Sequence, residues 1–423
     1  MTIPFLSSNR TLFVLPLSGQ QKEAPTFIKE LSSLKAVFGA YQPSCTVDFF
    51  NEQGEMRQET IVFNNMLDFY PEQIIANSPF LNTLENEALL QQNLTISLRY
   101  SHPLEQNYRV VQSFFRNCSN DRALEELTFL DVNLTTATEE DFKVYQKLLE
   151  RELSTNVYTD DLSNHYSLLV IPGFIANPSH RQQLGQMAYE HKVMCLTDYR
   201  NTGNIDLLLK HFQEEMIHTQ ALGASHLMMT CNWLTGRKPS GSYGEQFNGY
   251  FPASGALAGL LVNNSISQLS AGFTHGVLHE VEGVRLEPTK AEVGKMVELG
   301  LIPIIQTFGK HMAYSTKTLF KGEGTGSTMY PFVRIFDWLQ KCLMHYLNQR
   351  VGENKLEESF LQELQKEIHQ FLEKCIQKGY LQSFGAIKLS VAAENTAELN
   401  LITSICPTFL EKDFVLSLAA DFS

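Results

Sequence analysis

Short apolar runs alternate with longer polar stretches whose apolar residues return at helical spacing, and the alternation is clearest between residues 164 and 260. The runs are Tyr166–Ile171 (YSLLVI), Lys192–Thr197 (KVMCLT) and Leu227–Trp233 (LMMTCNW), each bounded by Pro, Gly, Asp or Asn. Runs of this length and punctuation predict buried strands. Arg181–Tyr189 and Ile205–Gln220 lie between them and predict crossover helices. Strand and helix in strict alternation, with strands apolar on both faces, predict a parallel α/β sheet covered by helices on both sides. A small-residue turn, Phe251–Leu260 (FPASGALAGL), closes the relay.

The pattern before the relay is mixed. Thr11–Leu17 and Cys45–Phe50 read as strands, and Gln53–Gly54 marks a turn before a further strand, Glu59–Asn64. Pro25–Phe38 has helical spacing through Phe27, Leu31, Leu34 and Phe38. Met66–Ser78 leads into a Leu-spaced stretch, Phe80–Leu98, and Tyr108–Leu127 and Thr136–Leu153 predict helices, the latter opened by a capping box of Thr136 and Glu139. The polar, turn-rich Ser154–Asn164 predicts a boundary.

After the relay, Ser265–Gly272 and a Gly/His loop, Gly276–Pro288, precede a second capping box, Thr289 with Glu292, for a helix ending near Gly300. Leu301–Gln306 and His311–Tyr314 flank Phe308–Gly309 as a hairpin should. Two helices fill Tyr330–Gly379, with Pro331 in the first turn. Their stripes are Val333, Phe336, Leu339, Leu343, Leu347 and Phe360, Leu364, Ile368, Phe371, Ile376. Strands are predicted near Ala386–Ala392, Ala397–Ile405 and Phe414–Leu418. The fold class is α/β, a parallel or mixed sheet core flanked by helices, with an antiparallel element of terminal strands. The regions predicted are 1–153, 164–380 and 381–423.

Composition narrows the function more than the fold. At 423 residues the chain exceeds what one compact core usually holds. A net charge of −13 argues against wrapping nucleic acid and is compatible with a basic partner surface. The seven cysteines are scattered, odd in number and contain no C-x-x-C, as expected of free thiols in a reducing cytoplasm. The N-terminal MTIPFLSSNRTLFVLPL lacks a charged leader with a long apolar core, and no apolar segment is long enough to span a bilayer, so a soluble intracellular protein is expected.

The candidates for chemistry are few. His275 and His279 stand four apart, the spacing of a helical metal pair, but Gly276 and Gly283 point to a loop and Glu follows the second His. Lys321–Thr328 (KGEGTGST) is Gly-rich, yet Ser327 stands where a phosphate loop needs Lys. Pro252–Gly259 is compatible with an anion cradle at a helix N-terminus or with close helix packing, and packing is favoured. No G-x-S-x-G elbow occurs, Cys195 and Cys231 have no neighbouring base, and Asp68 and Asp198 read as solvated or capping residues. No catalytic residue, cofactor or metal site is expected.

NHYSLLVIPGF (Asn164–Phe174), MAYEHKVMCLTDY (Met187–Tyr199), MMTCNWLTGR (Met228–Arg237) and FPASGALAG (Phe251–Gly259) together resemble the large sheath subunit of bacterial type VI secretion systems, TssC, in its Bacteroidetes variant. The resemblance continues through Leu299–Leu319, Tyr330–Leu343 and Cys406–Ala419, in register and order. The P-x-S-G-A-L-A-G turn is also similar to one in phage tail sheaths. Near the N-terminus, Glu59–Leu84 instead resembles the small sheath subunit, TssB, through Phe63, Met66, Asp68, Phe69, Pro71 and Glu72. Two arrangements remain open: one chain combining small- and large-subunit elements, or a large subunit that still needs a small partner.

The resemblance implies a structural subunit of a contractile sheath that polymerises helically around an inner tube and contracts to propel it. It implies as partners further copies of the chain, a TssB-like small subunit, an Hcp-like inner tube protein, a baseplate and a disassembly ATPase, with no nucleic acid and no membrane insertion. It places the assembly in the bacterial cytoplasm, anchored to the envelope. Strands that pair across subunits suit such a mesh, and the candidates are Phe414, Val415, Leu416, Ser417 and Leu418, with Leu12, Phe13 and Val14 second. An α/β enzyme of unknown reaction and a non-polymerising baseplate or adaptor paralogue remain the alternatives.

Overall fold

The computed structural model describes residues 3–19, 25–158, 165–215, 221–236, 249–322, 325–351, 358–391 and 399–408. Residues 4–353 make one compact unit, and the chain from residue 354 belongs to a second.

In the first unit, β1 (Thr11–Val14) and β2 (Phe27–Lys29) precede α1 (Leu34–Tyr41) and a hairpin of β3 (Ser44–Phe50) and β4 (Met56–Val62). Then come α2 (Pro71–Asn77), the long α3 (Glu87–Asn117), the short α4 (Asp121–Glu125), β5 (Leu127–Leu130) and α5 (Glu139–Tyr158). The relay follows as β6 (Leu168–Ile171), α6 (Pro178–Glu190), β7 (Met194–Asp198), α7 (Ile205–Glu215) and β8 (Leu227–Thr230). Beyond it lie β9 (Leu234–Thr235), β10 (Tyr250–Phe251), α8 (Ser254–Asn263), α9 (Gly272–His275), β11 (Val277–Leu278) and β12 (Gly283–Val284). The unit ends with α10 (Lys290–Glu298), β13 (Ile304–Thr307), β14 (Lys310–Ala313), α11 (Thr325–Thr328) and α12 (Tyr330–Val351).

Six strands form the central sheet in the order β2-β5-β1-β6-β7-β8. All neighbours are parallel except β2, which runs antiparallel to β5. Successive side chains on a strand point to opposite faces, so the apolar runs feed two cores. Phe13, Leu168, Val170, Met194, Leu196 and Met228 pack on one face with α3 and α8. Leu12, Leu169, Ile171, Cys195 and Met229 pack on the other, against Leu149 of α5, Met187 of α6 and Phe212 of α7. The relay strands and both crossover helices stand where the pattern predicts, except that residues 216–220 of the expected second helix lie outside the described residues.

Several expectations need correction. Pro25–Phe38 is not one helix: Phe27–Lys29 joins the sheet edge, Glu30 turns the chain at φ 64°, and the helix begins at Leu34 under a Ser33 cap. Phe80–Leu98 and Tyr108–Leu127 are mostly one 31-residue helix that runs through Pro103. Its predicted end at Leu127 is the start of β5, a strand too short to show a period. The cap of α5 is Thr138 with Asp141, not Thr136 with Glu139. The Thr289–Glu292 box forms as expected, and Phe308–Gly309 turns the β13–β14 hairpin with both residues at positive φ.

In the second unit, α13 (Glu358–Gln377) buries Phe360, Leu364, Ile368 and Phe371, with Cys375 rather than Ile376 completing the face. Four short strands follow: β15 (Leu381–Phe384), β16 (Lys388–Val391), β17 (Leu399–Ile402) and β18 (Ile405–Pro407). β15 pairs antiparallel with β18, and β16 with β17. The two predicted helices of Tyr330–Gly379 thus belong to different units, divided between residues 353 and 354. Strands from before and after Ser154–Asn164 share the one six-stranded sheet.

Candidate functional site

The carboxyl ends of β6, β7 and β8 meet the small-residue turn at a single buried carboxylate. Asp198 closes β7 and accepts hydrogen bonds from the Gly173 N–H after β6 (2.9 Å), the Thr230 hydroxyl on β8 and the Ser254 N–H that opens α8 (2.9 Å). Asp198 is therefore not solvated; of the two roles expected of it the capping one holds, at the start of α8, and it also ties three segments together. Burial raises its pKa, and the donated hydrogen bonds oppose that rise. A helix N-terminus is a ready anion site because its first N–H groups have no partner in the helix. Here the chain's own carboxylate occupies it.

Behind that N-terminus, α8 lies against α3 at backbone contact. A Cβ on Gly255 would stand 2.2 Å from the Val110 carbonyl oxygen, and one on Gly259 2.5 Å from that of Phe114. Both distances are below any ordinary contact, so the glycines are there for helix packing. Residues Ser254–Val262 are all buried, as a helix wedged between sheet and α3 must be. The packing reading of the turn is the one the geometry supports.

The remaining sequence candidates are dispersed. His275 ends α9 and His279 follows β11, so no single helix carries both, and the Asn117 side chain holds the His279 backbone. Among the described residues no group of three metal-ligating side chains is brought together. Lys321 and Gly322 precede a gap in the described residues, and Ser327 and Thr328 are tied by Thr318 through its hydroxyl and N–H. Burial pushes the Cys195 thiol up to about 12 and raises that of Cys231, so neither is a nucleophile near neutrality. Asp68 caps a 3-10 turn through the Asn64 and Asn65 N–H groups, which is the role expected of it.

One constellation imitates catalysis. The Ser225 hydroxyl is 2.9 Å from His226 Nδ1, and His226 Nε2 is 3.0 Å from Asp337. The order of contacts is that of a nucleophile, base and orienting acid. Ser225, however, is 4% exposed and its hydroxyl donates to the Leu222 carbonyl at 2.7 Å, so it has neither access nor a free proton to give His226. The trio fastens α12 to the turn before β8.

It belongs to a polar face of α12 that the apolar stripe concealed. Arg334, Asp337, Lys341 and His345 are all buried, whereas Phe336 of the predicted stripe is exposed. Arg334 donates to the Leu261 carbonyl (3.3 Å) and Lys341 to that of Tyr166 (2.8 Å). Burial drives the Lys341 ammonium down to about 7 from an ordinary 10.5, against the pull of Asp337. Below about 7 the lysine is charged in both folded and unfolded chains; between there and 10.5 the unfolded chain alone holds the proton, so this group makes stability rise with pH across that window. Lys341→Met should flatten the rise when urea unfolding is compared at pH 7, 8.5 and 10, and an unchanged slope would contradict the assignment.

The assembly candidates part company. Leu12, Phe13 and Val14 are no more than 1% exposed, and β1 is paired along one edge with β5 and along the other with β6. Both edges are used within the chain, so β1 has none to lend a neighbour; an apolar run cannot tell a central strand from an edge one. Phe414–Leu418 lies outside the described residues. Among the described residues edge strands lie elsewhere: β2 and β8 end the central sheet, and β3–β4, β15–β18 and β16–β17 are each two-stranded, so every strand in those pairs is an edge. Such edges accept an added strand.

The fold and the family to which the chain belongs together define a structural subunit of the contractile-sheath class. The fold is similar end to end to chains in cryo-EM structures of the anti-feeding prophage helical sheath in its contracted state (11% identity, TM-score 0.58, covering 100% of this chain and 96% of that one) and of the PVC sheath complex in its contracted state, an extracellular contractile injection system (12%, 0.61, 100% and 95%). A chain in the six-fold symmetrised anti-feeding prophage baseplate is similar too (11%, 0.57, 99% and 96%). The chain belongs to the type VI secretion system TssC/VipB family: residues 96–321 match its central domain and residues 329–422 its C-terminal domain. No curated protein sequence matches it. It is a structural sheath subunit of a contractile injection system.

Sequence reasoning missed the three-segment tie at Asp198, the α3 contacts of Gly255 and Gly259, and the polar face of α12. For Asp198 a signal existed: an Asp ending a predicted strand, with a helix N-terminus downstream and no ligand chemistry beside it.

Proposed function

We propose that the chain polymerises helically around an inner tube and contracts to propel it, in the bacterial cytoplasm and within an assembly anchored to the envelope. Family membership carries this reading, and the end-to-end likeness to two sheath folds supports it. Among the described residues no helix is long and apolar enough to cross a membrane, so such anchoring would run through other proteins. The partners proposed are an Hcp-like tube protein, a baseplate and a disassembly ATPase. The subunit needs to do no bond chemistry; its work lies in interfaces with two stable arrangements. Negative-stain microscopy of the purified protein tests this, with tubes expected. Discrete particles and no tubes would count against polymerisation by this chain.

The TssB-like Glu59–Leu84 falls on β4, a 3-10 turn, α2 and the turn after it, packed into the same core as the sheet through Ile61, Phe63, Phe69 and Ile74. We therefore favour a single chain combining both kinds of element. A separate protein of roughly 15–20 kDa, the size of a small domain, co-purifying in the tubes would overturn that.

For the mesh between subunits we propose the C-terminal region 381–423, with Phe414–Leu418 as the donated strand. Each backbone hydrogen bond nets only about 0.5–1.5 kcal/mol, so a short ladder yields several kcal/mol per joint. Deleting Phe414–Ser423 should abolish tubes while the remaining chain melts as a folded protein; normal tubes from the deletion would remove the strand from consideration.

A further inference from the structure

A cleft between α6 and α7 is built for an occupant. Its floor is apolar, formed by Phe174, Tyr199, Phe212, Leu227, Met229 and Leu319, and its inner part holds about 70 Å³. That is too little for a nucleotide or a cofactor and suits the leading part of one side chain. Arg181 lines the cleft, and it and Arg200 stand over one lining ring: their guanidiniums lie 5.1 Å and 4.7 Å from the centre of Phe174. One carboxylate, Glu215, serves both arginines, paired with Arg200 and 3.6 Å from Arg181. The Tyr199 residue is 1% exposed, lines the cleft, and has no hydrogen-bond partner for its hydroxyl among the described residues. Buried hydroxyls are rarely left so. Arg200 Nε is likewise buried without an acceptor among the described residues.

The apolar floor, two arginines sharing one carboxylate, and the idle donors together ask for an aromatic side chain beside a carboxylate. In this chain every Asp–aromatic step within the described residues has its ring buried: Phe49, Phe69, Phe142, Tyr199 and Trp338. Two such steps lie beyond them, Asp413–Phe414 and Asp421–Phe422, and the first falls in the proposed intersubunit strand. We propose that this cleft receives Asp421–Phe422 of a second copy of the chain, with the Phe422 ring on the apolar floor and the Asp421 carboxylate at Arg181 and the Tyr199 hydroxyl. The contact is heterologous, cleft to tail, and such a contact propagates into a helical filament when it does not close on itself. It rests on the sheath reading and adds a second joint to it.

The test uses full-length chain carrying Phe422→Ala, which keeps its own tail from competing, and a fluorescent peptide of residues 417–423 (SLAADFS). Saturable binding by anisotropy is expected, weakened at least ten-fold when the peptide carries Asp421→Lys and several-fold when the protein also carries Tyr199→Phe, a change that removes only the hydroxyl. Arg181→Gln should weaken the Asp421 peptide and leave the Asp421→Asn peptide almost unchanged, a coupling that general loss of structure would not give. No binding, or equal binding of the Asp and Lys peptides, overturns the proposal. So does wild-type chain that stays monomeric while excluding the peptide, because the tail would then sit in its own cleft. Tubes from wild-type chain and equally from Phe422→Ala would end the proposal and leave the sheath reading intact. No tubes from wild-type chain would count against the sheath reading, while the peptide titration still decides whether the cleft binds this tail.

Discussion

Asp198→Ala should lower the unfolding free energy by about 4 kcal/mol in urea denaturation. The carboxylate is the acceptor for three donors from three segments, Gly173, Thr230 and Ser254. Each buried donor left without an acceptor costs about 1–3 kcal/mol. Asp198→Asn is the sharper variant: it keeps one oxygen but turns an amide N–H toward a position already filled by a donor, so a loss of about 2 kcal/mol is expected by the same reckoning. If alanine at this site leaves stability within about 1 kcal/mol of wild type, close to the usual spread for neutral positions, the carboxylate is not the tie described above.

Gly259→Val should be nearly as damaging for a different reason. The added Cβ would press within 2.5 Å of the Phe114 carbonyl oxygen and 3.0 Å of the Asn117 Cβ, and neither α3 nor α8 can withdraw without opening the core they share. Overpacking of this kind costs about 1–3 kcal/mol and sometimes more, and the same is expected of Gly255→Val beside Val110. Gly294 supplies the control. It sits in the interior of α10, and a Cβ added there would meet nothing within 4 Å, so Gly294→Ala should stabilise the helix by roughly 0.5–1 kcal/mol. Thermal melts of the three variants side by side would separate close helix packing from a general intolerance of change at glycine. Equal losses at all three sites would contradict the contact.

The relay was legible because its strands are buried on both faces and its helices are long enough to show a period. Hairpin and capping-box chemistry was equally plain at Phe308–Gly309 and at Thr289–Glu292, where local hydrogen bonding alone decides the structure. What escaped was set by distant partners. Phe27–Lys29 is three residues long and a strand only because Leu130, Phe129 and Thr128 lie beside it. The polar face of α12 is buried because the Tyr166 and Leu261 carbonyls and His226 need partners, which no hydrophobic stripe can announce. Whether an apolar strand is central or at an edge is a property of the sheet, so the sequence that marked Leu12–Val14 as a strand could not say that both its sides are taken. The family resemblance, by contrast, rests on ordered local motifs and survives these errors.

The place of β1 also sets a clock on synthesis. Its two neighbours, β5 and β6, begin at Leu127 and Leu168, so during synthesis β1 has no partner on one side until residue 127 is made and none on the other until residue 168. At the usual rate of 5–20 residues per second, β1 waits roughly 8–30 s before it can be enclosed. Until β5 is made this apolar strand is bare along both margins, and until β6 is made along one, in a chain whose finished form is made to join others of its kind. A nascent subunit of this design depends on being shielded until its own later strands arrive, and crowded polysomes are where it is most exposed to the wrong neighbour.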